Sequence, residues 1–553
     1  MRAEHPNQLD YGGDGSSDQN AGHSSRLILG EFLPLRRRVA VKHLAGIEED
    51  KANGPDQVPG RILKSCAKVL SIPVILIARL VLDAGQWPWK EHWLSPIYKK
   101  KAVFEGGNYR GVHLTSHIGK TIERCIKDVL IPFLEKTNAF GKRQFAYRKG
   151  HSTRDLLFIL TSEWLMAMFL GHKIGIFLSD ISGAFDRVRA ARLIARALGK
   201  GVGRKMVQFI AGYLEPRIAK VVVENVFSDE FIIDDQVFQG TVLGPPLWNL
   251  FFAEIQGIIE KCEAHNSVYA DDLNAYKMFD SHLPNKDVLS DLNKIAGKVH
   301  DWGRENQVLF DATKEDFCVL HRDDHFGGPF RLLGIDYDAQ LTMNKYCKDL
   351  ARRLRNKLAM LLNTKWFLTT PELVIQFKSH VLSLVELPTP AIYHAAPTYL
   401  QRIDDVQLSF LMAFGSSESE AFVNFNMAPS QIRRDLSILG ALHKCATGTA
   451  HPELQAVFPP EKTLENTGSW HYFKVPNPLK HPHQLHNFKD VKKPWPLWMK
   501  RSAFGLIDVY NELDPSIVAI AKVSLFQREL QNRAKELCKN QFDGWQWVYS
   551  PQW

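Results

Sequence analysis

Near the middle of the chain a short apolar run, residues 267–270, stops at two adjacent carboxylates, Asp271 and Asp272, and apolar residues resume at Leu273. The stretch Val268-Tyr269-Ala270-Asp271-Asp272-Leu273 reads as a β-hairpin with Asp271 and Asp272 at its tip. Adjacent carboxylates raise each other's proton affinity unless a cation lies between them. Standing alone, the pair fits a solvated Asp-Asp turn more readily than a site. A second stretch upstream changes that balance. Ile174, Ile176, Phe177 and Leu178 form a buried strand with Asp180 at its C-terminal end, followed by Ala184, Phe185 and Asp186. A strand ending in Asp and a hairpin tip carrying two more carboxylates gather three acids at one edge of a sheet. Hard oxygen ligands on a rigid support suit Mg²⁺, which is held by one or two carboxylates while phosphates complete its shell. Two such ions about 4 Å apart activate a hydroxyl and stabilise a leaving phosphate in line.

At 553 residues the chain has room for more than one compact unit,. Lys and Arg outnumber Asp and Glu by 69 to 60, a net charge of +9 that fits nucleic-acid binding without establishing it,. Seven scattered cysteines with no CxxC pair supply neither a disulfide framework nor a zinc knuckle, so a reducing compartment is expected,. The most apolar run, 69–82, is too short to span a membrane and contains Pro73 and Arg79,. No signal peptide is expected. The expected location is intracellular, nuclear or cytoplasmic.

Nine blocks then occur in a telling order. They are GPDQVPGRILK (54–64), LSPIYKKK (94–101), NYRGVHLTSHIGKTIERCI (108–126), QFAYRKGHSTRDLL (144–157), LSDISGAFDRV (178–188), QGTVLGPPLWNLFF (239–252), VYADDLNAYK (268–277), VLFDATKEDFCVL (308–320) and RLLGIDYDAQL (331–341). On these blocks, over 54–415, the chain resembles reverse transcriptases. It resembles most closely those of non-LTR retrotransposons, with group II intron enzymes as more distant relatives. The resemblance implies an α+β right-hand polymerase: fingers, a ferredoxin-like antiparallel palm, a helical thumb, and a mostly irregular and helical C-terminal extension. The expected divisions are a disordered tail (1–26), an N-terminal helix and fingers (27–173), a palm with the carboxylates (174–341), a helical thumb (342–450), and a Pro/Trp-rich connector with a small C-terminal helical unit (451–553). Such relatives often carry an endonuclease domain upstream, for which no room is expected here.

Within that frame a helix is expected over 61–70 with a buried helical continuation over 72–82, then a turn at Trp87–Trp89 and a strand over 93–98. Lys99, Lys100 and Lys101 face Arg110 across a loop containing Gly106 and Gly107. The resemblance places Arg110, with Lys99 beside it, where the fingers close over the incoming nucleotide's phosphates, and guanidinium groups bind phosphoryl oxygens in bidentate fashion. Arg148, Lys149 and Arg154 suit contact with the template backbone. After Asp186 an amphipathic basic helix is expected, with Val188, Leu193, Ala195 and Leu198 on its apolar face. The resemblance further implies that Phe185 packs beneath the sugar and rejects a 2′-hydroxyl, and that Ile181 lends its carbonyl to the metal shell. It also implies that Gln239 and Gly240 lie nearest the substrate. Lys314 matches a basic position that protonates the leaving pyrophosphate as general acid. Here Asp311 and Glu315 replace the Asn and Thr that relatives favour, and the acidic pair is expected to hold the Lys314 proton more firmly. Further helices are expected over 288–302, 346–362, 371–387, 399–414, 502–513 and 516–538. The helix over 346–362 carries a basic exterior suited to an A-like RNA–DNA hybrid.

The function these residues and the resemblance imply is RNA-directed DNA polymerisation. The catalytic residues would be Asp180, Asp271, Asp272 and Lys314. The cofactors would be two Mg²⁺ ions, or Mn²⁺, on Asp180, Ile181, Asp271 and Asp272, and the partners an RNA template, a DNA or RNA primer and dNTPs, with no membrane. A rival reading is an inactive or domesticated nucleic-acid-binding remnant. A third, an RNA-templated RNA polymerase, is disfavoured by Phe185.

Overall fold

The computed structural model describes residues 29–30, 33–100, 102–181, 183–461, 480–488 and 493–551. The expected tail over 1–26, Lys101, and the connector prolines Pro476 and Pro478 lie outside them. In chain order the strands are β1 (Glu91–Tyr98), β2 (Tyr109–Leu114), β3 (His172–Ser179), β4 (Arg217–Val223), β5 (Val226–Phe227), β6 (Phe231–Ile233), β7 (His265–Tyr269), β8 (Asp272–Asp280), β9 (Asp316–Leu320), β10 (Phe330–Leu332) and β11 (Ile335–Tyr337). The fold is α+β. The chain forms two compact units, one of Met1–Ala139, Ala190–Asp235 and Gly240–Leu243, the other of Phe140–Arg189, Gln236–Gln239 and Gly244–Trp553.

The first unit has its own sheet, in the order β2-β1-β4-β5 with β6 also on β4. The β1–β2 hairpin is antiparallel and registers Ile97 against Arg110, so Arg110 stands on β2, across the intervening loop from Lys99. Helix His117–Lys136 starts where the Ser116 hydroxyl accepts from the Ile118 and Gly119 N–H groups, each at 3.1 Å,. Its buried Ile122, Ile126, Leu130 and Leu134 recur every four residues and give the core-facing stripe,. Trp87 is buried against Trp89, Phe209 and Tyr213. The expected helix over 61–82 breaks at Cys66 instead, and Ala67–Ala84 runs straight through Pro73. Its continuation is not wholly buried: Val74, Ile75, Ala78, Val81 and Leu82 face inward, while Val69, Ile72, Leu76 and Leu80 are exposed. An apolar run without periodicity could not tell those faces apart. The basic helix is Ala190–Gly199, buried through Leu193 and Ala197; Ala195 and Leu198 are exposed, because the helix starts two residues after Val188 and turns a different side inward.

The second unit is built on a four-stranded antiparallel sheet, β7-β8-β3-β9. Central strand β3 is buried on both faces, so Ile174, Ile176, Phe177 and Leu178 read as a continuous apolar run and not as alternation,. Trp164, from helix Thr153–Leu170, meets Tyr276 of β8 on one face, with ring centroids 6.0 Å apart. On the other face helix Asn285–Asn306 lies over Gly175. The segment around Gln144 adds a parallel bridge to the outer edge of β7: Val268 N–H donates to Arg143 O and Phe145 N–H to Val268 O, both at 2.9 Å. Beyond β11, helices Asn344–Leu362 and Pro397–Met412 appear as expected within a few residues. The expected helix over 371–387 is interrupted by a π-helical turn at Lys378–Leu382,. The C-terminal helix Val523–Lys539 packs on helix Ser430–Ala446, with the rings of His443 and Phe526 stacked at 4.0 Å. His481 is buried and bonds Tyr510 O at 3.3 Å. Among the described residues no helix is long and apolar enough to cross a membrane.

A side chain at Gly175 has nowhere to go, since a Cβ there would stand 2.8 Å from Val288 and 2.9 Å from Phe279. Gly175→Val is expected to wedge helix Asn285–Asn306 off the sheet and cost about 1–3 kcal/mol, read as a lower denaturant midpoint in equilibrium unfolding.

Candidate active site

Register brings the carboxylates together. The last β3–β8 pair is Ser179 with Leu273, so the next step places Asp180 across from Asp272. Tyr269 pairs with Asp272, which leaves Ala270 and Asp271 as the two-residue turn. The tip is thus one residue earlier than expected: Asp271 is in the turn and Asp272 opens β8. The electrostatics register the crowding. Burial, then the charges of Asp271 and Asp180, push the Asp272 carboxyl up to about 6, with Lys314 opposing them. Among the described residues, no group of three or more His, Cys, Asp or Glu side chains forms a ready-made metal cage. What the fold offers is a rigid edge with concentrated negative charge. That fits a hard divalent ion whose shell is completed by phosphate oxygens and water rather than by protein alone.

Asp180 is also fixed by its backbone. Its carbonyl accepts the Asp311 N–H at 3.0 Å, beside an isolated bridge of Ile181 with Phe310. The turn that follows Asp311 delivers Lys314, whose Nζ donates to Asp180 Oδ2 at 2.5 Å and lies 3.4 Å from Asp311. Those bonds, Asp180's first and Asp311's after it, hold the Lys314 ammonium above its ordinary value. The direction matches expectation but the cause differs in part. Glu315 takes no share, because it binds Ser179 at 3.0 Å and His300 at 2.9 Å. Ser179 and Asp180 point to opposite faces of β3, and Glu315 and Lys314 follow them.

Residues 97–348 match the family described as reverse transcriptase (RNA-dependent DNA polymerase). They are a reverse transcriptase domain. The chain is 26% identical over 428 residues to the RNA-directed DNA polymerase from mobile element jockey of Drosophila melanogaster, covering 72% of this chain and 45% of that protein. It is 29% identical over 342 residues to the jockey polymerase of Drosophila funebris, covering 58% of this chain and 37% of the relative. These relatives are of the non-LTR retrotransposon kind that the sequence pointed to. The chain spans less than half the length of the curated relatives it matches. A solved structure of apo telomerase from Candida tropicalis aligns at 12% identity and a TM-score of 0.35, over 49% of this chain and 59% of that one, too loosely to carry an argument.

Within the reverse transcriptase domain, Phe185 sits in a 3₁₀ turn, Ala184–Arg187. Its ring stacks on Trp248 at 5.9 Å, and its carbonyl accepts the Val237 N–H at 2.9 Å. Gln239 is half-buried in the same unit as the carboxylates. Lys99, Arg110 and Gly240 belong to the other unit, where Lys99 and Arg110 are exposed on the β1–β2 hairpin. Gly240 has φ +99, and a Cβ there would stand 3.0 Å from His113 O, so the chain passes too close to β2 for any side chain,.

Three supporting residues were not singled out in the sequence, although each lies in a block that carries the resemblance. Glu123 is fully buried in the first unit, accepting the N–H groups of Val242 (2.6 Å) and Leu243 (2.9 Å) and the Tyr213 hydroxyl (3.2 Å). It anchors the segment that follows Gly240, although burial raises its proton affinity. Gln144 and Trp248 bond the backbone of Ala270. Those blocks mark the family and not the contact, and nothing local announces a partner more than twenty residues away.

Asp272 also sets a pH dependence. Its carboxyl rises from 3.8 to about 6 on folding, so ionisation opposes the fold: the penalty is absent below about pH 4, grows between about pH 4 and 6, and is full above that,. Asp272 nonetheless keeps part of its surface open to solvent, which screens the effect,. In EDTA, Asp272→Asn is expected to melt about 1–3 °C above wild type at pH 8, with the two curves merging near pH 4.

Proposed function

We propose that this chain is an RNA-directed DNA polymerase that extends a primer 3′-hydroxyl with deoxynucleoside triphosphates. The observation that carries the reading is Asp180 standing across from Asp272 with Asp271 in the adjoining turn. The proposed working parts are fingers before residue 174, a palm over 174–341 and a thumb over 342–450, with an RNA template and a DNA or RNA primer as partners. Asp180, Asp271 and Asp272, with the Ile181 carbonyl, would hold Mg²⁺, as two ions, or Mn²⁺. When bound, such ions stabilise charge on the phosphoryl oxygens and ease deprotonation of the attacking hydroxyl.

The chain's own residues do the rest by positioning and charge. Arg110 and Lys99 bind the triphosphate, their exposed cations matching its charge. Gln239 and the side-chain-free Gly240 seat the base pair. Phe185, braced by Trp248, presents a rigid ring to the sugar and excludes a 2′-hydroxyl. Lys314 stays protonated at neutral pH, so it has a proton to give the departing pyrophosphate once released from Asp180,. The scattered cysteines, with no CxxC pair among them, support a reducing intracellular compartment,.

Primer extension on an RNA template with Mg²⁺ should yield dNTP-dependent products that EDTA abolishes. Asp271→Asn should lower the rate by about a hundredfold or more. Template binding with no extension by the wild type in Mg²⁺ or Mn²⁺ would instead favour the inactive remnant. Phe185→Ala should reduce the preference for dNTP over NTP by about tenfold or more; an unchanged preference removes Phe185 as the sugar-selecting residue.

A further inference from the structure

Ala270 occupies a backbone conformation that L side chains rarely adopt, with φ +59,. It is the first of the two turn residues between β7 and β8, a position with positive φ that hairpins of this length normally fill with glycine or asparagine,. A strained residue of this kind persists only where its surroundings over-determine it.

Those surroundings are side chains. The Gln144 carboxamide grips both sides of Ala270: its Oε1 accepts the Ala270 N–H at 3.1 Å and its Nε2 donates to the Ala270 carbonyl at 3.3 Å. The same carbonyl accepts the Trp248 indole N–H at 2.9 Å. Neither gripping group is loose. Gln144 and Trp248 are 1% and 0% exposed. Gln144 Oε1 also accepts the Ala146 N–H at 3.0 Å, and the flanking backbone is bonded to Val268 on both sides. The preceding residue, Arg143, is buried and donates to Tyr276 at 2.6 Å and Glu453 at 2.6 Å.

We propose that Gln144 and Trp248 are positioning residues that clamp the Ala270 turn in its strained form and thereby aim Asp271 and Asp272. The proposal rests on the reading of those aspartates as metal ligands. Without the clamp the buried Ala270 N–H and C=O lose their partners, the backbone relaxes toward negative φ, and the next two side chains turn with it. Trp248 carries the clamp further, because its ring also supports Phe185. One indole therefore sets both the sugar-facing ring and the carboxylate turn.

Hydrogen–deuterium exchange on the metal-free full chain tests the clamp without reference to activity. Peptides spanning 268–273 should exchange about tenfold faster in Gln144→Leu than in wild type, with peptides from β3 unchanged. Trp248→Phe, which keeps an aromatic ring but removes the indole N–H along with part of the ring system, should act in the same direction and serves if Gln144→Leu does not fold. In primer extension, Gln144→Leu should raise the Mg²⁺ concentration for half-maximal rate several-fold, by about one lost hydrogen-bond pair, while the KM for dNTP stays put. Adding Ala270→Gly should bring that midpoint back toward wild type, because glycine enters positive φ unaided. Unchanged exchange at 268–273 in the folded variants overturns the proposal, as does a double variant whose Mg²⁺ midpoint is no better than that of Gln144→Leu. If the wild type extends no primer, the polymerase reading fails while the exchange result still decides the clamp.

Discussion

The structure of the second unit answers one electrostatic problem, the repulsion among Asp180, Asp271 and Asp272. Folding draws Asp272 toward its two neighbours and partly out of water, which raises its proton affinity,. Charge of one sign stays concentrated at such an edge only if the backbone beneath it cannot yield. Strand β3 cannot slide, because a slip of one residue would put a side chain where only Gly175 leaves room for Val288, Phe279 and Leu292,. Helices cover both sides of it, with Trp164 on one face and Val288 and Leu292 on the other. Lys314 supplies a countercharge at 2.5 Å from Asp180.

Local strain and buried polar bonds gather around this edge. Ala270 has a positive φ, Gln144 and Trp248 bond its backbone, and Arg143 with its partners secures the segment bearing Gln144. The first unit shows the same device in a different place, a fully buried Glu123 holding two backbone N–H groups just after Gly240. Each is a side chain doing what a neighbouring strand or water would otherwise do for exposed peptide groups. Such groups stabilise little on balance, yet they dictate where the backbone passes.

The parts that could be read from the chain were those with a short-range signal. The buried run ending in Asp180, the apolar spacing behind helix Asn285–Asn306 and the seam of helix Asn344–Leu362 all showed in their neighbours. Where periodicity was weak the reading slipped. The hairpin tip moved by one residue, the helix through Pro73 exposed part of a stretch expected to be buried, and Ala195 and Leu198 proved to be outside. Glu315 shows a different failure: it neighbours Lys314 in sequence but, across β3, serves Ser179 and His300.

Residue order alone settled the chemistry on offer, an Asp at the end of a buried strand and an Asp-Asp pair at a hairpin, because those features depend on alternation and on turn-forming residues a few positions apart. Tertiary structure decided which carboxylate faces which, what Lys314 binds, and how Ala270 is held. Those outcomes turn on strand register and on partners such as Gln144 and Ala270, 126 positions apart. No local pattern encodes contacts of that length; they exist only once the sheet and its helices have closed around them.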